Sequence, residues 1–245
     1  MPRLSKRFAR LREVGGSLER FLLPAACLLC GEGIRATVDS RPIICGLCRT
    51  RWTPLPDPMC SRCGQPVGYD LPCRICADWP ASPVRVRSAV WLEGGARHAT
   101  HLLKYEGWWG VARPMAHAMR RLAPLTEGVF LVPIPLGRRR QRSRGYNQSE
   151  YVAQALGEVC GLPVRHLTLD RTRETTTQTA LTPEARRANV AGAFTARGAH
   201  GRACVLVDDV FTTGATVVAA AAALSAAGAS RVEAVTFARA PHPVA

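Results

Sequence analysis

Hydrophobic and polar positions along the chain change character near residue 84. Beyond it, Val84 to Leu92 alternates as a strand does, and Ala96 to Leu103 has helical spacing. The apolar run Val129 to Pro135 predicts a buried strand, and Ser149 to Cys160 a helix. A polar stretch from 170 to 190 precedes a strand at Ala203 to Val207. An alanine-rich helix follows from about Ala215 to Ala227, closed by Gly228, and then a strand at Val232 to Phe237. Alternation of this kind predicts an α/β fold whose mostly parallel sheet is covered on both faces, with ligands at the strand C-termini. Before residue 84 the pattern is different. Pro54, Pro56, Pro58, Pro66, Pro72, Pro80 and Pro83 interrupt any long helix or central strand, so something other than a hydrophobic core must organise that segment.

The cysteines supply it. Eight of the ten form C-x-x-C pairs: Cys27/Cys30, Cys45/Cys48, Cys60/Cys63 and Cys73/Cys76. A C-x-x-C turn points both sulfurs at one place, and two turns complete a closed tetrahedral thiolate shell, so two structural zinc ions are expected. Cys30 and Cys63 are each followed by glycine (Gly31, Gly64), where a positive φ lets amides approach the thiolates. This internal repeat favours Cys27, Cys30, Cys45 and Cys48 as one site, with Cys60, Cys63, Cys73 and Cys76 as the other. An interleaved pairing would satisfy the same spacing. Domain boundaries follow: a zinc-binding segment over 1–80, then an α/β domain over 81–245. Cys160 and Cys204, alone in helix and strand contexts, read as small buried hydrophobes.

Composition narrows the class. The 245 residues are 47% hydrophobic and 21% charged, which excludes disorder, and no apolar run approaches the roughly 20 residues of a spanning helix. The basic run Arg3 to Arg12 before Phe21 to Cys30 imitates a secretory leader, but the apolar part is too short and Cys27 belongs to the thiol pattern, so a cytoplasmic location is expected. The formal charge of +15 suits a polyanionic partner, nucleic acid or a phosphorylated metabolite. Only Lys6 and Lys104 are lysines, so part of this excess reflects arginine-rich usage. His98 and His101 are spaced as a metal pair would be, but with no carboxylate in sequence reach they read as helix-surface or core residues.

The segment Val205 to Thr216, VLVDDVFTTGAT, carries the most chemistry. An apolar run delivers Asp208 and Asp209 to a strand end, and a loop of hydroxyls and glycine then opens a helix. Thr212, Thr213, Gly214, Ala215 and Thr216 can offer amides and hydroxyls to a phosphate at the positive end of the helix dipole. The two aspartates are acceptors for sugar hydroxyls. A phosphate cradle beside a diol binder is what a ribose 5-phosphate needs. Walker-type binding is excluded because no Gly-Lys-Ser/Thr element exists, and Gly31 to Ala36 fits a dinucleotide fingerprint without the preceding strand that would give it meaning.

VDDVFTTGAT resembles the 5-phosphoribosyl-1-pyrophosphate (PRPP) motif of type I phosphoribosyltransferases. With FLLPAACLLCG, LLKYEG, VPIPLGRRRQRSRGYNQSE and a Gln-x-Leu…Arg-x-x-Asn element at 178–189, nearly all of residues 20–240 looks like a ComF/GntX-family protein. The resemblance implies a double zinc ribbon before a type I phosphoribosyltransferase fold. It implies that Asp208 and Asp209 hold the ribose hydroxyls and Thr212 to Thr216 the 5-phosphate, with Mg²⁺ accompanying PRPP. Lys104 and Tyr105 fall on its pyrophosphate loop, and Arg144, Gly145, Tyr146, Asn147 and Gln148 match its mobile loop over the site. One departure stands out: the family's basic continuation after Lys-Tyr is replaced by Glu106, Gly107, Trp108 and Trp109.

The expected function is thus a PRPP-binding phosphoribosyltransferase linked to DNA uptake in competence, with Asp208, Asp209, Lys104 and Arg144 as candidate catalytic residues and the acceptor undefined. Mg²⁺, Lys104 and Arg144 could neutralise the leaving pyrophosphate. Two alternatives compete: a single-stranded DNA-binding accessory of the uptake machinery, and a PRPP sensor without turnover. Arg138, Arg139, Arg140, Arg142 and Arg144, crowded in one loop, could track a nucleic-acid backbone, and Tyr105, Trp108, Trp109 and Tyr146 could stack bases, although core or lid roles are commoner for aromatics.

Overall fold

A computed structural model describes residues 26–34, 42–67, 73–80, 84–122, 128–173 and 192–241. The basic run near the N-terminus and the 178–189 element lie outside these residues. The chain forms two compact units, Met1–Arg51 and Trp52–Ala245.

The first unit contains the cluster Cys27, Cys30, Cys45 and Cys48 and a short helix α1, Gly46–Thr50. Cys27 N–H donates to Glu32 O at 2.8 Å and Gly31 N–H to Cys27 O at 2.8 Å, closing the knuckle around the first thiol pair. Gly31 takes φ +77°, as the repeat required.

The second unit repeats that knuckle. Cys60 N–H donates to Gln65 O at 2.8 Å, Gly64 N–H to Cys60 O at 3.0 Å, and Gly64 takes φ +69°. This ribbon is continuous with a parallel sheet. Strands β1 (Arg85–Trp91), β2 (Val129–Pro133), β5 (Ala203–Phe211) and β6 (Arg231–Arg239) run in the order β1-β6-β5-β2, every pairing parallel. The helices are α2 (Gly94–Tyr105), α3 (Ala112–Met119), α4 (Arg138–Arg144), α5 (Gln148–Cys160) and α6 (Ala215–Ala226). Helices α3 and α5 pack together and against the sheet, while α6 packs against it with the antiparallel pair β3 (Leu169–Arg171) and β4 (Phe194–Ala196).

The predicted alternation is therefore present, with three differences. Strand β5 runs on to Phe211, so Asp208 and Asp209 sit inside its last turn of pleat rather than after it. The arginine run at 138–144 is a helix instead of a loop, ended by Gly145 at φ +81°. The short helix α3 and the β3–β4 pair carry too few residues to imprint a clear period on the sequence.

Candidate functional site

The two thiol clusters have the geometry of zinc centres. In each, the four sulfurs lie within 4.8 Å of one another and the grouping is sequential, as the glycine repeat favours. The Sγ separations Cys30–Cys45 3.9 Å, Cys60–Cys76 3.6 Å and Cys63–Cys73 3.4 Å bracket the roughly 3.8 Å edge of a tetrahedron with Zn–S near 2.3 Å. The first cysteine of each knuckle is the one the backbone ionises. Burial opposes charge on Cys27, yet N–H groups of Cys45, Leu29 and Cys30 outweigh it and bring the thiol down to about 6. Burial likewise opposes charge on Cys60, and amides of Cys63 and Arg62 bring it to about 7. These donor sets suit Zn²⁺, which would close each ribbon as a structural cross-link. Among the described residues no other group of three His, Cys, Asp or Glu could hold a metal. His98 joins none, and His101 Nδ1 sits 3.1 Å from Glu106 Oε1, a carboxylate that does lie in reach.

At the C-terminal end of the sheet, β5, α2 and α5 bring the acidic pair to a cation and a helix start. Lys104 Nζ lies 2.7 Å from Asp209 Oδ2, and Asp209 is only 2% exposed. Burial works against the Lys104 charge, but Asp209 beside it, and Asp208 further away, hold its pKa above the ordinary value. Gln148 Nε2 donates to Asp209 Oδ1 at 3.3 Å. Ser149 Oγ donates to Asp208 Oδ1 at 2.7 Å, and Asp209 N–H donates to the same oxygen at 2.9 Å. Even so, burial and then the neighbouring Asp209 charge push the Asp208 carboxyl up to about 7, against the hydrogen bonds and Lys104. The site holds more negative charge than one lysine offsets.

Arg144 extends this network. Its guanidinium hydrogen-bonds Gln148 Oε1 and lies 5.3 Å above the Tyr105 ring. Tyr146 OH donates to Leu103 O at 2.5 Å, and Asn147 caps α5 by accepting from Ser149 N–H at 3.1 Å. The segment matched to a mobile loop is thus a helix end, a glycine cap and an N-cap. Lys104, Tyr105, Arg144, Asp208 and Asp209 are brought together. Gln148 and Ser149 bridge them; the resemblance puts Gln148 on its mobile loop and Ser149 in the same motif, but assigns neither as a partner of the aspartates.

The turn after β5 lines a small cleft with Asp208, from Thr212 through Thr216. Gly214 takes φ +80° and caps α6, whose first residue is Ala215. The Thr213 hydroxyl is buried with no hydrogen-bond partner among the described residues. A buried hydroxyl just before the N-cap of a 12-residue helix is a donor placed to meet an anion, and its chemistry fits a phosphate oxygen. The aromatic residues nearby are not core: Tyr105 is 67% exposed, Trp108 45% and Trp109 52%. Trp109 stacks on Tyr151 with centroids 5.5 Å apart and an interplanar angle of 4°.

Comparison with known proteins agrees with both halves of this description. Residues 18–77 match the double zinc ribbon domain and residues 147–244 the phosphoribosyl transferase domain. The DNA utilization protein YhgH of Salmonella typhi is 31% identical over 220 residues, 86% of this chain and 95% of its own. The chain belongs to the ComF/GntX family. Its relative in Escherichia coli K12, also named DNA utilization protein YhgH, is 31% identical over 78% of this chain and 87% of its own. Competence protein ComFC of Bacillus subtilis is 25% identical over 84% and 89%. The allosteric regulatory enzyme of purine biosynthesis aligns over 51% of this chain and 25% of its own, at TM-score 0.34 and 24% identity. No helix among the described residues is long and apolar enough to cross a membrane.

Proposed function

We propose that this ComF-family protein binds PRPP at the end of β5 and acts on it as a phosphoribosyltransferase in the handling of DNA. The observation that carries the reading is the juxtaposition of Asp208, Asp209 and Lys104 with the Thr212–Thr216 turn and its orphaned Thr213 hydroxyl. In this reading the turn holds the 5-phosphate at the α6 N-terminus, and the two carboxylates accept hydrogen bonds from the ribose hydroxyls. Departure of pyrophosphate builds positive charge on the ribose ring, so the need is for cations at the leaving group more than for a strong base. Lys104 and Arg144 are the chain's cations for that task. The acidic pair also suits a divalent ion, and Mg²⁺ bound with the diphosphate would supply further neutralisation. Glu106, which departs from the family pattern, is held by His101.

Calorimetry with Mg²⁺ and PRPP tests the binding. Saturable heat that disappears in Asp208→Asn/Asp209→Asn supports it; absence of heat, or heat unchanged by the double substitution, overturns it. Pyrophosphate release that requires an added acceptor would separate transfer from sensing.

A second reading, single-stranded DNA binding, rests on the exposed Tyr105, Trp108 and Trp109, of which Tyr105 lies under Arg144, and on the names of the competence and DNA utilization relatives. Exposed aromatic faces and exposed arginines such as Arg138, Arg139, Arg140 and Arg142 of α4 are the kinds of element that hold unpaired bases and their backbone. Affinity for an oligonucleotide should fall steeply with salt and should fall again in Arg138→Ala/Arg140→Ala. Salt-insensitive binding would contradict it.

A further inference from the structure

The second thiol cluster reaches the Thr212–Thr216 turn through two buried side chains, the first of them Arg239. Arg239 ends β6, pairs in register with Phe211 of β5, and is 0% exposed. Its Nη1 donates to Cys63 O at 2.9 Å, its Nη2 lies 3.7 Å from Cys63 Sγ, and its Nε donates to Gln65 Oε1 at 2.8 Å. The other face of the guanidinium covers the Phe211 ring at 4.1 Å, and Phe211 is the residue immediately before the turn. Ala240 N–H donates to Phe211 O at 2.9 Å, fixing the backbone there.

A second arm comes from the same ribbon. Trp79, three residues after Cys76, packs on Phe211 at 6.1 Å, and its backbone N–H donates to Cys76 O at 3.2 Å. A Cβ placed on Gly214 would lie 2.2 Å from Trp79 Cζ2 and 3.0 Å from the Phe211 ring. The glycine of the turn is therefore seated directly on the ribbon. An arginine buried against the Cys63 sulfur needs negative charge there, and four thiolates around one Zn²⁺ retain a net negative charge to meet it.

We infer that Arg239, with Trp79, is a positioning residue through which the Cys60/Cys63/Cys73/Cys76 centre sets the shape of the Thr212–Thr216 turn, so that zinc in this ribbon and a sugar phosphate in the turn stabilise each other. The inference rests on the PRPP reading of that turn. Coupling of this kind is reciprocal: whatever the metal does for the phosphate, the phosphate does for the metal.

The test uses the zinc-loaded full-length chain and follows metal transfer to a chromogenic chelator, with and without PRPP and Mg²⁺ at a concentration shown by calorimetry to saturate. The expected result is two release phases, of which PRPP slows one by roughly tenfold, the middle of the usual coupling range. Arg239→Gln should load two zinc ions yet lose that protection and bind PRPP correspondingly more weakly. Should Arg239→Gln not fold, the wild-type release rates alone decide the matter. PRPP that binds wild type while leaving both phases unchanged overturns the coupling and spares the binding site. No calorimetric binding to wild type removes the binding site, and the coupling with it.

Discussion

The two cysteine clusters share spacing, knuckle hydrogen bonds and a positive-φ glycine, but not surroundings. In the first, Cys30 is exposed and a Cβ on Gly31 would meet nothing within 4 Å. In the second, Cys63 is fully buried, Arg239 and Gln65 close over it, and a Cβ on Gly64 would lie 2.7 Å from Val86 O on β1. Val86 N–H donates to Arg62 O at 2.8 Å, so ribbon and sheet share backbone hydrogen bonds. One motif thus stands largely open to solvent in one case and forms part of a larger core in the other. The difference lies in what the flanking residues meet, which C-x-x-C spacing does not encode.

The strongest way to break this comparison is to remove each metal separately. Cys63→Ser/Cys76→Ser should lose one zinc ion by native mass spectrometry and lower the melting temperature of the sheet unit by more than about 10 °C, since a structural zinc contributes folding energy and each kcal/mol is worth roughly 2–4 °C at this size. Cys27→Ser/Cys30→Ser should also lose one zinc ion, yet shift that transition by no more than about 2 °C. Equal shifts would refute the distinction.

The repeat-mate glycines sharpen it. Both Gly31→Ala and Gly64→Ala force a side chain into left-handed backbone, costing about 1–2 kcal/mol. Only Gly64→Ala also drives a Cβ into a backbone carbonyl that cannot rotate away, so its denaturant midpoint should fall clearly further.

The smallest effect separates ribbon from site. Asp208 titrates near 7 in the folded chain, above the ordinary carboxylate value of about 4. Its contribution to stability is complete below pH about 4 and is lost as pH rises through about 7. Asp208→Asn, which cannot ionise, should melt higher than wild type at pH 8, lose that advantage by pH 5, and keep both zinc ions at either pH. A gain that is the same at both pH values would show that its carboxyl is not strained by charge.

Much of this was legible in the sequence because the signals are local. Paired cysteines followed by Gly31 and Gly64 announce two knuckles, and VLVDDVFTTGAT announces a strand, a turn and a helix in twelve residues from Val205. The 129–133 strand and the 203–207 part of β5 read as continuous apolar runs because parallel strands are buried on both faces. What was not legible depends on partners distant in the chain. Arg239 lies 176 positions from Cys63, and Gln148 and Ser149 lie 61 and 59 positions from the aspartates they bond. Nothing near Arg239 distinguishes it from the other arginines of a basic chain. The helix over 138–144 was hidden by its five arginines, whose charges suggested a solvated loop. Exposure of Trp108 and Trp109 ran against the usual burial of aromatics.

The central claim concerns the turn at residues 212–216, and a crystal of the zinc-loaded chain soaked with PRPP and Mg²⁺ addresses it most directly. The account predicts the 5-phosphate against the backbone amides from Thr212 to Thr216, within hydrogen-bond reach of the Thr213 hydroxyl, and both ribose hydroxyls on Asp208 and Asp209. Density for PRPP elsewhere on the protein, with this turn empty and Lys104 still paired to Asp209, would contradict it.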